Sequence, residues 1–187
     1  MLAIIMLLSG LTVAVLRGTQ NHQVLDLTAA RLAALVEAGL AQATATDEVI
    51  VLAVADRGAF PETATRRALI LLRDRDNLPV RDWLLLPPGL VLALETDDES
   101  LSQEETLRID HGEIVADVWP LVYLLPNGQT RRGPLMLPET TRFTLIRGDG
   151  LRDATGRFRV LPGEDPEAVH VEIFPLTARV QLTREAP

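Results

Sequence analysis

Three histidines, His22, His111 and His170, are the side chains of this 187-residue sequence best suited to hold a metal or to move a proton near neutral pH. They stand far apart. None has an i, i+4 partner or an H-E-x-x-H frame, the spacing that sets two imidazoles on one helix face, so they read as surface or strand-face residues. Carboxylates are denser: Glu95, Asp97, Asp98 and Glu99 are followed by Glu104 and Glu105. Oxygen ligands of this kind suit calcium, but the spacing is not that of an EF-hand and no glycine stands where such a loop turns. As a general acid and base, Asp97 and Asp98 would point to opposite faces of a strand, and a polar loop would raise the pKa of neither. The stretch reads as a solvent-exposed loop. Gly148-Asp149-Gly150 has the small residues of a turn without the basic or helical continuation that cradles phosphate, and no nucleophile elbow or Walker loop follows a strand. There is no cysteine, which excludes disulfides and thiolate chemistry. The sequence therefore predicts no catalytic residue, no metal site, no cofactor and no small-molecule substrate.

The bulk composition narrows the class further. With 47% hydrophobic residues the chain can bury a core of about one domain, and a formal net charge of -8 leaves no basic surplus to neutralise phosphates. Nucleic acid is not an expected partner. Trp83, Trp119, Tyr123 and four phenylalanines are too few and scattered for a base-stacking platform and read mostly as core.

What must position everything else is the first stretch, Met1 to Ala45, which reads as one unbroken helix with two surfaces. Met1 to Leu16 is almost wholly apolar; after Arg17 the pattern turns amphipathic, with Leu25, Leu32, Leu35, Val36 and Leu40 on one face. Gly18 to His22 predicts a bend rather than a stop. Leu2, Ile4, Ile5, Leu7, Leu8, Gly10, Leu11, Val13, Val15 and Leu16 surround the cylinder, which a small domain does not enclose. The run has the length of a secretory signal core but lacks a basic start and a small-residue cleavage site. It is shorter than the roughly 20 apolar residues of a full membrane span. The expected organisation is residues 1–22 as a protruding half-helix for membrane and assembly, and 23–187 as a head that includes the amphipathic half.

Beyond the helix the period changes from 3.6 to 2. Val49 to Val54 reads as a strand closed by Asp56, Gly58 and Pro61, and Ala68 to Arg73 as a second, whose Arg66, Arg67, Arg73 and Arg75, interleaved with Asp74 and Asp76, suggest a solvated edge. Trp83 to Leu86 leads into a Pro87-Pro88-Gly89 turn and a strand over Leu90 to Leu94. Val118 to Leu125 precedes Asn127-Gly128, the signal of a type I′ hairpin. Arg142 to Ile146, Arg157 to Leu161, Val169 to Phe174 and Ala178 to Thr183 complete an all-β tail, punctuated by Ala154-Thr155-Gly156. The predicted fold class is α+β: a long N-terminal helix packed on an antiparallel sheet.

Two stretches resemble a known family. Leu2-Ala3-Ile4-Ile5-Met6-Leu7-Leu8-Ser9-Gly10-Leu11 is similar to the later half of the N-terminal segment of type IV pilin-like proteins. Val171 to Val180, with Pro175-Leu176-Thr177-Ala178 at its centre, resembles the closing hairpin of H-type minor pseudopilins of the type II secretion system, with Ala178 where glycine is usual. Leu86-Pro87-Pro88-Gly89 and Leu124-Leu125-Pro126-Asn127-Gly128 are looser echoes of turns in that family. The prepilin peptidase site of the family, Gly before a pattern such as Phe-Thr-Leu-Ile-Glu, and the methylated residue after it have no counterpart in the sequence, and the reading frame is expected to extend upstream into them.

The resemblance implies a non-enzymatic minor pseudopilin that supports protein export. It would be held in the inner membrane by a single transmembrane helix, with its head in the periplasm, and would then assemble through that helix with other pilin-like subunits. The alternatives are a minor pilin of a type IV pilus and, from another class, a membrane-anchored periplasmic β-domain that binds a ligand or envelope protein.

Overall fold

The computed structural model describes residues 2–94, 107–133, 138–152, 158–162 and 167–184, with the side chains of residues 2–22, 152 and 162 outside that description. Helix α1 spans Leu2–Thr46. Over its described side chains, Leu25, Thr28, Ala29, Leu32, Leu35, Val36 and Ala43 are buried, the three-and-four spacing of a single face. Asp47 ends the helix with φ 55, and the Glu48 N–H reaches the Ala43 carbonyl at 3.3 Å, closing the last turn in the manner of a Schellman cap.

Eleven strands follow among the described residues, every pairing between them antiparallel. The first sheet runs β3 (Leu84–Leu85), β2 (Ala68–Arg73), β1 (Ile50–Phe60), β6 (Ile114–Leu124) and β5 (Leu107–His111), with β7 (Thr130–Arg131) also on β6. The second runs β11 (Val180–Arg184), β10 (Ala168–Ile173), β8 (Thr141–Arg152) and β4 (Leu90–Leu94), with β9 (Phe158–Pro162) on the far half of β8. The two sheets and the helix share one core. Leu25, Leu32 and Val36 of α1 meet Ile50, Leu52 and Val54 of β1, Leu124 of β6, Leu92 of β4, Phe143 of β8 and Val171 of β10 in a single cluster. A second cluster, including Val51, Ile70, Ile109 and Tyr123, lies on the opposite face of the first sheet, which explains why every residue from Ile50 to Asp56 is buried.

The expected α+β fold, a long protruding helix on one sheet, is therefore corrected. The chain is mostly β, with two antiparallel sheets. The helical segment whose side chains are described, Gln23 to Thr46, docks between them rather than lying across one. Alternation along a strand specifies which face is apolar and not which sheet the strand joins, so the tail strands were readable one by one while their division into two sheets was not. The membrane expectation is corrected too. Among the described residues no helix is long and apolar enough to cross a membrane. In Gln23 to Thr46 the apolar positions alternate with exposed Asp26, Arg31 and Glu37, whereas a span needs about 20 consecutive apolar residues. The single-pass inner-membrane placement, the transmembrane helix, the periplasmic head and the secretion-system location built on them fall with it.

Local expectations divide in the same way. The bounds of β2 and β4 match the predicted strands, while β1 runs on past Asp56 and Gly58 through register shifts to Phe60. β2 is an interior strand and Arg66 beside it is 2% exposed, so the expected solvated edge is not one. The Asn127-Gly128 connection is a type I turn rather than type I′: only Gly128 has positive φ, at 82, and its N–H donates to the Leu125 carbonyl at 3.0 Å. Strand β5 was not predicted; the two-residue link Gly112-Glu113, with Gly112 at φ 63, was its signal. The acidic stretch from Glu95 to Glu105 and the Ala154-Thr155-Gly156 punctuation lie outside the described residues.

Candidate functional site

The sequence placed function on the helix. Leu2, Ile4, Ile5, Leu7, Leu8, Gly10, Leu11, Val13, Val15 and Leu16 lie on the backbone of α1, the element that also carries the docked segment, and their side chains are outside the described residues. The first described turns show how the face changes. Leu25 is 1% exposed, but Val24 and Leu27 stand 42% and 56% exposed on the outer side, so apolar residues occupy both faces there. Farther along, the outer side is small and polar: Ala30, Arg31, Ala34, Glu37 and Ala41 are exposed.

Gly39 fixes how closely that helix sits. A Cβ on Gly39 would lie 2.5 Å from Leu124 Cδ1 and 3.0 Å from Leu71 Cδ2, so the absence of a side chain brings the helix backbone down onto β6 and β2.

Sequence reasoning missed a buried charge pair. Arg66 follows the 3-10 turn Glu62–Ala64 with φ 56. Its N–H donates to the Ala55 carbonyl at 2.7 Å, and its carbonyl accepts from Leu92 N–H of the second sheet at 2.9 Å. Its Nε donates to Asp56 Oδ1 at 2.6 Å, and the Phe158 ring of β9 lies 5.1 Å from its guanidinium carbon. One residue thereby ties β1, β4 and β9 together. No local pattern marks it, because an arginine-rich run interleaved with aspartates reads as solvated.

A groove of about 690 Å³ lies between β3 and the turn of the β5–β6 hairpin. Trp83 helps to set its width, since Trp83 Nε1 donates to the His111 carbonyl at 2.9 Å and links the two ends of the curled first sheet. Arg31 of the helix and Arg67 line it beside Leu85 and Pro87, so helix and sheet both contribute. Arg67 donates from Nη2 to the Leu86 carbonyl at 3.0 Å, while its Nε is buried without a hydrogen-bond partner.

His111 and His170 lie in different sheets, and the His22 side chain is outside the described residues. His111 Nε2 lies 3.1 Å from Asp82 Oδ1, and His170 Nδ1 lies 3.0 Å from Thr144 Oγ1 across the second sheet. Among the described residues no three His, Asp or Glu side chains come together as metal ligands. Compared with protein-family models, curated proteins and solved structures, the chain finds no match. The likeness to H-type pseudopilins accordingly rests on the residues quoted for it.

Proposed function

We propose that the protein is a structural subunit that acts by assembly, docking through the outer face of its N-terminal helix against neighbouring subunits, in the manner of the pilin-like minor subunits it resembles. The observation that carries this reading is the exposure of Val24 and Leu27, at 42% and 56%, on a helix whose opposite face is buried in the head. Two such residues at i and i+3 form an apolar step on the helix surface, next to a sequence that is apolar from Leu2 to Leu16. Support of protein export is what kinship with pseudopilins would add. The apolar helix surface favours a protein partner over a soluble ligand, because it offers area and few polar groups to fix orientation.

The chain has no cysteine, which makes the test direct. In the native host, Val24→Cys and Leu27→Cys variants carrying a maleimide-benzophenone probe on the new thiol are expected to form photocrosslinked adducts with a pilin-like protein, by insertion into its C–H bonds. Arg179→Cys, at an exposed position in the β10–β11 connection, is expected to form none. Adducts no more frequent at Leu27 than at Arg179 would overturn the reading.

A further inference from the structure

The geometry points to the groove between β3 and the β5–β6 turn as a docking site for an extended peptide of a partner protein, an apolar segment ending in a carboxylate. This inference does not use the Val24 and Leu27 step, although Arg31, which lines the groove, lies on the outer side of the same helix. β3 is the end strand of its sheet, and Leu86 N–H donates to the Arg67 carbonyl at 2.7 Å. The register pairs Ala68 with Leu85, so strand alternation turns the Leu85 N–H and C=O away from β2. That backbone edge opens beside a groove of about 690 Å³, and the Leu85 side chain is 54% exposed. An incoming strand would pair there by main-chain hydrogen bonds, and Pro87-Pro88 would limit the pairing to a short segment.

The charges select the chemistry of the guest. Arg67 and Arg31 line the groove, and among the described residues neither forms an ion pair with a carboxylate. The acids that line it are Asp82, 3.1 Å from His111 Nε2, and Glu113, so two arginines meet two carboxylates there. The preference for an anionic guest is local to Arg67, whose Nε is buried without a hydrogen-bond partner. A planar guanidinium held by one hydrogen bond to Leu86 is set to receive a carboxylate. Trp83, Leu86 and Pro87 supply the apolar wall for the neighbouring side chains.

The test uses the full chain and two synthetic peptides, acetyl-Thr-Val-Thr-Val with a free C-terminal carboxylate and the same peptide amidated. Calorimetric titration is expected to give at least about tenfold tighter binding of the acid, since a charge-assisted contact is roughly twice as strong as a neutral one. Hydrogen exchange at the Leu85 amide is expected to slow when the acid binds. Arg67→Gln should erase the preference for the acid; if that variant does not fold, Arg31→Gln, at an exposed position, should reduce it. Equal binding of acid and amide, no binding at millimolar peptide, or unchanged exchange at Leu85 would overturn the proposal. So would benzoate competing as well as the peptide, because the groove would then be a small-carboxylate site.

Discussion

Arg66 Nε lies 2.6 Å from Asp56 Oδ1, and the two side chains are only 3% and 7% exposed. The pair closes the path from the end of the buried part of β1, through the 3-10 turn, to the start of β2. Phe158 lies over the guanidinium, so water is kept from it by an aromatic face.

Because both charges are desolvated, removing one should cost far more than replacing both. Asp56→Ala is expected to lose about 3 to 5 kcal/mol of folding stability, the usual effect of breaking a buried pair, and Arg66→Ala somewhat less, because Arg57 Nε stays 3.9 Å from Asp56 Oδ2. Asp56→Leu combined with Arg66→Met should lose less than either single change. Urea denaturation of the three variants measures this, and a double variant as weak as the sum of the singles would show that the two side chains act separately.

Phe158 gives an independent probe of the same corner. A Cβ on Gly150 would collide with the Phe158 ring, so Gly150 is what lets β9 lay that ring down on Arg66. Phe158→Leu keeps an apolar group but removes the ring face, and should cost about 1 to 2 kcal/mol in thermal or urea unfolding. Combined with Arg66→Met, its cost should shrink, since the cation it covers is gone.

This corner also marks where the sequence ceased to be legible. Leu90 to Leu94 and Ala68 to Arg73 could be bounded because apolar runs end at Pro, Gly or charge, which are local events. The buried face of α1 was equally open to reading, since Leu25, Leu32, Leu35 and Val36 follow the helical period. Arg66 could not be told from Arg73 or Arg75, because what buries it is Asp56 ten residues away and a phenylalanine from another sheet. The groove was hidden for the same reason: its lining comes from α1, the 3-10 turn, β3 and the β5–β6 turn, which only the curl of the first sheet brings together. The assembly residues from Leu2 to Leu16 were chosen for being apolar all round, a property that names no partner.

At Gly39 two effects oppose each other. Alanine gains about 1 kcal/mol of helix propensity over glycine in a helix interior. Its Cβ would meet Leu124 Cδ1 at 2.5 Å, and that methyl, fully buried in the main core cluster, would have to shift among its neighbours. Overpacking of this kind costs about 1 to 3 kcal/mol, so Gly39→Ala should be net destabilising by about 1 kcal/mol. Gly39→Leu should be worse than Gly39→Ala by several kcal/mol or prevent folding. A rise in melting temperature for Gly39→Ala would mean that the helix lifts off the sheet without loss.

Ala178 occupies the position where the resembling hairpins carry glycine, and here it has φ 48 while only 4% exposed. Left-handed backbone costs a residue with a Cβ about 1 to 2 kcal/mol, which argues for glycine. Against that, the buried methyl contributes about 0.8 kcal/mol and glycine adds about 0.4 to 1 kcal/mol of unfolded-state entropy. The two sides nearly cancel, so Ala178→Gly should change stability by less than about 1 kcal/mol. Ala178→Val faces both penalties at once, a β-branched side chain in the left-handed region and added volume in a filled site, and should lose more than about 2 kcal/mol. The Phe174 N–H to Arg179 carbonyl bond, 3.0 Å long, closes this turn, so its amide should exchange faster in the valine variant and at the parent rate in the glycine variant. If valine is tolerated as well as glycine, the turn relaxes out of the left-handed region at little cost, and the alanine there carries no structural tension.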